Sequence, residues 1–198
     1  TEGREDAVYY LASGILYVIY DFGTLAPEGL WMEEVEEQVY TGAPVKPQIR
    51  AYCDGVYLKE GEDYSISYKN NTKAAASTAK NAPTITIKGK KSYKGSYQST
   101  FTIKPAEFGV TPGITADDLV VVGDGKRQIK GKPVVKYNGK AVPAAEYTLE
   151  YEGYDSDKNK FCVPGIYTIH IKGKGNNFTG EMTVQQTVAG KLTAKNVT

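Results

Sequence analysis

The sequence predicts an all-β protein of two tandem β-sandwich modules with an N-terminal β-hairpin extension. Three observations carry this. A set of strand and turn signals recurs at a spacing of about 84 residues, apolar and polar residues alternate at period two in segment after segment, and no stretch shows a convincing helical period. The 198 residues suit one large domain or two of ordinary size.

The repeat is visible at four places in one order. Ile85-Thr-Ile87-Lys-Gly89-Lys90 returns as Ile169-His-Ile171-Lys-Gly173-Lys174, and Tyr64-Ser-Ile-Ser-Tyr68 returns as Tyr147-Thr-Leu-Glu-Tyr151. Lys46-Pro47 through Asp54-Gly55 answers to Lys132-Pro133 through Asn138-Gly139, and Tyr93-Lys-Gly95 to Phe178-Thr-Gly180. A period this long suits a whole small sandwich rather than a solenoid unit. The modules are expected at 39–105 and 114–190, with 106–113 as a short linker and 1–38 as an acidic, aromatic lead-in.

Within each unit the strands follow from alternation. Tyr64, Ile66 and Tyr68 share one face, and Ser65, Ser67 and Lys69 the other. Ile85 and Ile87 point in between Thr84, Thr86 and Lys88, and residues 98–104 alternate with Ser99, Phe101 and Ile103 on one side. These give a predicted core of Tyr64, Ile66, Tyr68, Ile85, Ile87, Phe101 and Ile103 in the first unit. Tyr147, Leu149, Tyr151, Ile169 and Ile171 are expected in the second. Asp54-Gly55 and Asn138-Gly139 are two-residue hairpin signals, because both central residues need positive φ. Residues 31–38 are the one helix candidate, and read equally well as strand.

Composition narrows the function. Sixteen Tyr and 21 Gly fit strands and turns. No run approaches the ~20 apolar residues of a bilayer span, so no membrane insertion is expected. The net charge of +1 conceals an asymmetry: residues 1–38 carry nine acids against Arg4 alone, whereas residues 39–105 carry eleven basic residues against four acids. These charges are either solvated faces or an acidic lead-in lying against a basic module. The Lys residues alternate along strands without an aromatic RNA-binding motif, so no nucleic-acid partner is expected.

The motifs of residues 39–105 are specific. The run Val39-Tyr-Thr-Gly42, Lys46-Pro47, Gly61-Glu-Asp63-Tyr64, Tyr68-Lys-Asn-Asn71, Ile85-Thr-Ile87-Lys-Gly89, Tyr93-Lys-Gly95 and Phe101-Thr-Ile-Lys-Pro105 resembles the immunoglobulin-like repeats found in tandem in large surface proteins of Gram-positive, often gut-dwelling bacteria. Residues 115–190 match more loosely, with Ala144-Ala-Glu-Tyr147 in place of Gly-x-Asp-Tyr, and residues 1–38 lie outside the match. The resemblance implies immunoglobulin-like sandwich modules on the outside of a bacterial cell, acting as stalks, spacers or binding modules. It implies no catalytic residues, and it makes the Asn-x-Thr triplets at Asn70, Asn177 and Asn196 chance matches to a glycosylation signal. Both ends read as cut, with 191–198 as the start of a further segment, so an excised piece of a longer protein is expected.

Catalytic parts are sparse. His170 is the single histidine, and its place between Ile169 and Ile171 makes it an exposed strand residue. Adjacent acids such as Glu33/Glu34, Glu36/Glu37 and Asp117/Asp118 are not the separated pair that a glycosidase needs. Asp155-Ser-Asp157-Lys-Asn159 has the alternating oxygens of a calcium loop without the Gly or distant Glu of an EF-hand, which leaves a polar loop or a calcium site. Cys53 and Cys162 fall in different modules, which leaves two free thiols or one inter-module bridge. The expectation is a non-enzymatic protein without cofactor or metal, and a monomer.

Binding remains. In Ile15-Leu-Tyr-Val-Ile-Tyr-Asp-Phe22 the set Leu16, Val18, Tyr20 and Phe22 can serve a core, while Ile15, Tyr17 and Ile19 have no assigned partner. Val8-Tyr9-Tyr10-Leu11 precedes it across Ala12-Ser13-Gly14, so residues 7–22 read as a hairpin. Either this hairpin is a two-sided buried element, or it is a Tyr-rich contact surface made of Tyr9, Ile15, Tyr17 and Ile19 with Trp31 nearby. Two functions then stand: recognition of a host protein, with immunoglobulin a plausible target, and glycan binding or spacing within a secreted glycan-degrading enzyme. A single Trp tilts the reading toward protein.

Overall fold

A computed structural model describes the backbone of residues 7–12 and 15–20, and backbone and side chains of 29–191. In chain order its strands are β1 (Ala7–Ala12), β2 (Ile15–Tyr20), β3 (Leu30–Met32), β4 (Gln38–Val39), β5 (Ala51–Cys53), β6 (Val56–Leu58), β7 (Tyr64–Lys69), β8 (Thr84–Gly89) and β9 (Ser96–Thr100). They continue with β10 (Ile103–Lys104), β11 (Ala106–Phe108), β12 (Ile114–Ala116), β13 (Leu119–Gly123), β14 (Val135–Tyr137), β15 (Lys140–Ala141), β16 (Tyr147–Tyr151), β17 (Gly165–Gly173) and β18 (Phe178–Gly190). The one helical element among the described residues is a 3-10 turn at Ala144–Glu146, so the protein is all-β and sandwich-like. Residues 31–38 resolve to strand at either end, in β3 and β4, with extended chain between.

Two compact units emerge. The first gathers residues up to Glu34 with Gln48–Ser67 and Thr86–Ser99; the second gathers Val35–Pro47, Tyr68–Ile85 and everything from Thr100 onward. Residues of the expected 39–105 module therefore contribute to both.

In the first unit, β1 and β2 form an antiparallel hairpin and β3-β5-β6 a three-stranded antiparallel sheet; β7-β8-β9 form a further three-stranded sheet, of which residues 64–67, 86–89 and 96–99 belong to this unit. The turn between β5 and β6 is Asp54-Gly55 with φ of 49° and 79°, the double positive-φ turn that its sequence predicts. That turn length sets the register: Cys53 faces Val56, Tyr52 faces Tyr57 and Ala51 faces Leu58. Met32, Ala51 and Leu58 form a buried row on one side of this sheet, and Tyr64 and Ile87 are also buried.

In the second unit, β11-β18-β17-β16 forms one sheet, with β13 added in parallel to the far end of β18; β12-β14-β15 forms another. Val135 and Tyr137 from β14 share a buried cluster with Ile169 and Ile171 of β17, Phe178 and Val184 of β18, and Phe161. Asn138-Gly139, with φ of 49° and 78°, closes the β14–β15 hairpin as predicted. Residues 106–108, expected inside a linker, are the strand β11, and Ala106 and Phe108 are fully buried. Gln186 is the one polar residue with no exposed surface among the described residues. It is satisfied on both sides, accepting from Gly131 N–H at 2.8 Å and donating to Ile129 C=O at 2.8 Å.

Five expected core residues are only half-buried: Ile66, Tyr68, Tyr147, Leu149 and Tyr151. The reason is position. β7 and β16 are edge strands of their sheets, so a neighbour covers each from one side only, and of the expected core residues on them only Tyr64, at the start of β7, is buried. Three of the tyrosines turn this to use, donating their hydroxyls to carbonyls of Pro47 (Tyr68, 3.0 Å), Pro133 (Tyr147, 3.5 Å) and Gly131 (Tyr151, 2.5 Å).

Candidate functional site

The hairpin is present where the sequence places it. Its register pairs Val8 with Ile19, Tyr9 with Val18, Tyr10 with Tyr17, Leu11 with Leu16 and Ala12 with Ile15. Residues directly opposite in an antiparallel pair belong to one face. Ile15, Tyr17 and Ile19 thus fall in one set, together with Val8, Tyr10 and Ala12, whereas Tyr9 falls in the set of Leu16 and Val18. Every position in both sets is apolar or Tyr. Among the described residues β1 and β2 pair only with each other. Phe22 and the lead-in at 1–6 lie outside the described residues, as do 192–198 of the expected further segment.

Trp31 sits in β3, directly across from Tyr52, which is across from Tyr57. The three rings form a cross-strand row. Trp31 and Tyr52 stack with centroids 4.5 Å apart at 13°, and Tyr52 and Tyr57 lie 4.1 Å apart at 45°. This row occupies the side of the sheet opposite the buried Met32, Ala51 and Leu58. Tyr57 is 60% exposed, and the indole N–H of Trp31 is buried without a hydrogen-bond partner among the described residues.

Polar groups stand beside the rings. The Tyr52 hydroxyl donates to the Glu33 carboxylate. Burial, then hydrogen bonds to Glu33 and Tyr57, push the Tyr52 phenol well above its ordinary pKa. Arg50 is held above its ordinary value by Glu33 first, then by the charge of and a hydrogen bond with Tyr57. The sequence reading named Trp31 and missed Tyr52, Tyr57 and Arg50. The signal was available: a two-residue turn at 54–55 fixes 52 opposite 57, so the aromatics flanking Asp54-Gly55 had to be neighbours.

His170 is in β17 on the outer side, as its alternation predicts, within a charged group. Its Nδ1 contacts Glu181, its Nε2 lies 3.9 Å from Glu152, and Lys172 pairs with Glu150 at 2.5 Å. The Asp155–Asn159 loop has one side-chain oxygen bonded to a protein donor, and its backbone is held by Gln128. Asp157 Oδ1 accepts from Asn159 N–H at 2.9 Å, and the Gln128 side-chain amide lies 2.6, 3.1 and 3.0 Å from the carbonyls of Tyr154, Asp157 and Lys160. Cys53 and Cys162 are both unbridged thiols, and burial, then the Asp54 carboxylate, raises the pKa of Cys53. Among the described residues no helix is long and apolar enough to cross a membrane.

No protein-family model matches the chain, and no curated protein matches it at a significant level.

Proposed function

We propose that this chain is a non-enzymatic, extracellular binding and adhesion part of a bacterial cell-surface protein, that tandem immunoglobulin-like modules form its scaffold, and that the β1–β2 hairpin, with Trp31, recognises a host protein. The observation that carries the reading is the hairpin itself. Both of its alternating sets are apolar or aromatic, and among the described residues its two strands pair with nothing but each other. A free strand edge gives a partner main-chain hydrogen bonds, and Tyr supplies contact area at low entropic cost. The nine acids of residues 1–38 favour a basic partner surface and a salt-sensitive encounter.

The scaffold reading draws on the motifs of residues 39–105 and on geometry that recurs in both halves of the chain. A strand pairs in parallel with the closing strand of its own half twice, as β4 with β10 and β13 with β18, and the two positive-φ hairpin turns occupy matching places. Immunoglobulin is the first host target to try.

The test is capture from host serum and mucosal secretions on the immobilised chain, with mass spectrometry of what is retained. Enrichment of a defined protein, immunoglobulin above all, supports the reading. Retention of nothing beyond a blank column refutes it.

A further inference from the structure

The face of β3, β5 and β6 opposite Met32, Ala51 and Leu58 holds a second assembly of functional groups, which shares only Trp31 with the hairpin reading. Strand register sets two rows side by side. One is Trp31, Tyr52, Tyr57; the other, two residues along, is Glu33 and Arg50, with the Glu33 N–H donating to the Arg50 carbonyl at 3.1 Å to continue the ladder, and Lys59 stands just past the end of β6. Two residues along a strand is about 7 Å, and the step between strands about 4.8 Å. A hexose ring laid beside Tyr57 therefore spans from the aromatic row to the polar one.

The chemistry of the face narrows the ligand. The charges pair among themselves: Arg50 lies beside Glu33, and Lys59 bonds Glu62 at 2.6 Å. Two positive groups against two negative ones leave no net charge to reward an anionic ligand. The two rows include no Leu, Ile, Val or Met, unlike a protein-interface core, where such residues fill space around the aromatics. What the face offers is ring surface, for the C–H side of a sugar, and planar donors and acceptors, for pairs of hydroxyls. Tyr57 presents the exposed ring, and behind it Tyr52 and Trp31 are stacked in order, so the ring is braced before anything binds. Of the three rings only Tyr57 is exposed and Tyr52 is buried, so a sugar stacks on Tyr57 alone and meets the polar row beside it.

We infer that this face, with Tyr57 as stacking ring and Arg50, Glu33 and Lys59 as hydroxyl partners, binds a neutral oligosaccharide or polysaccharide.

Two measurements on the intact chain test it. Trp31 is the only tryptophan, so its emission reports on the row directly. The probes are xyloglucan, hydroxyethylcellulose and desialylated mucin glycans, each in affinity electrophoresis and in a fluorescence titration, with sialylated mucin glycans and heparin as charged controls. The expected result is retardation by at least one neutral probe and a saturable change in Trp31 emission. Tyr57→Ala should weaken both about tenfold or more, with melting unchanged, while Tyr57→Phe keeps them. Tyr17→Ala with Ile19→Ser, which bears on the hairpin, should leave them untouched. No retardation by any neutral probe, retardation by the charged controls alone, or full binding by a folded Tyr57→Ala chain each overturns the inference. Loss of protein capture with glycan binding intact would strike the hairpin proposal alone.

Discussion

Replacing Ile171 by Ala tests the alternation that underlies the whole fold. Ile171 has no exposed surface, and it lies in β17 between Leu149 of β16 and Met182 of β18, in the cluster of Ile169, Val184 and Phe178. The change deletes three carbons. At about 0.8 kcal/mol per buried methylene the lost transfer energy is about 2.4 kcal/mol, and the cavity left between two packed sheets raises the total toward 3–5 kcal/mol. For a unit of this size that corresponds to a fall in Tm of about 6–20 °C. Its neighbour is the control. His170, one residue along, points outward, so His170→Ala should stay within about 0.5 kcal/mol, because exposed ion pairs contribute little. Differential scanning calorimetry of the two variants and of Ile171→Val, expected to lose about 0.5–1.5 kcal/mol, decides the matter. If His170→Ala is the more damaging of the two, the inward and outward faces of β17 have been reversed and the reasoning fails.

Other outcomes follow from single contacts. Tyr137 donates its hydroxyl to the Tyr40 carbonyl at 2.7 Å inside the buried ring cluster with Phe178, so Tyr137→Phe should cost about 1 kcal/mol in urea unfolding, with the m-value unchanged. Gln128→Ala strips the donor that three loop carbonyls surround, and should speed amide exchange selectively across residues 154–160. The Glu181 carboxyl is held below its ordinary value by its hydrogen bond with His170 first and by Lys172. Its contribution is therefore present above the pKa of an unfolded Glu and is lost as pH falls through the lowered folded value. NMR titration should show Glu181 titrating below a free Glu, and Glu181→Gln should flatten that part of the stability-against-pH curve.

The elements legible in the sequence are those set by local rules. Asp54-Gly55 and Asn138-Gly139 force positive φ, and the period-two runs around Ile85, Ile87, Ile169 and Ile171 name the inward face; the structure has both. What local pattern does not carry is which strand lies at an edge. Tyr147, Leu149 and Tyr151 alternate as cleanly as Ile169 and Ile171, yet β16 has a neighbour on one side only and these residues stay half-exposed. Ala106 and Phe108 were hidden by the Pro and Gly around them, because a three-residue parallel strand is decided by its distant partner, Phe178–Gly180, and not by its own sequence. At the candidate sites the hairpin was visible as an apolar run, whereas the ring row needed the register across β3, β5 and β6, of which the turn at 54–55 betrayed only the β5–β6 part.

The most direct measurement of the central claim is a biosensor titration of purified host immunoglobulin, or of whichever protein the capture experiment retains, over the immobilised chain and its Tyr17→Ala, Ile19→Ser variant. Saturable binding to the chain, an on-rate that falls as salt is raised, and loss of binding in a variant that melts with the parent are expected. Equal binding by the folded variant would contradict the claim.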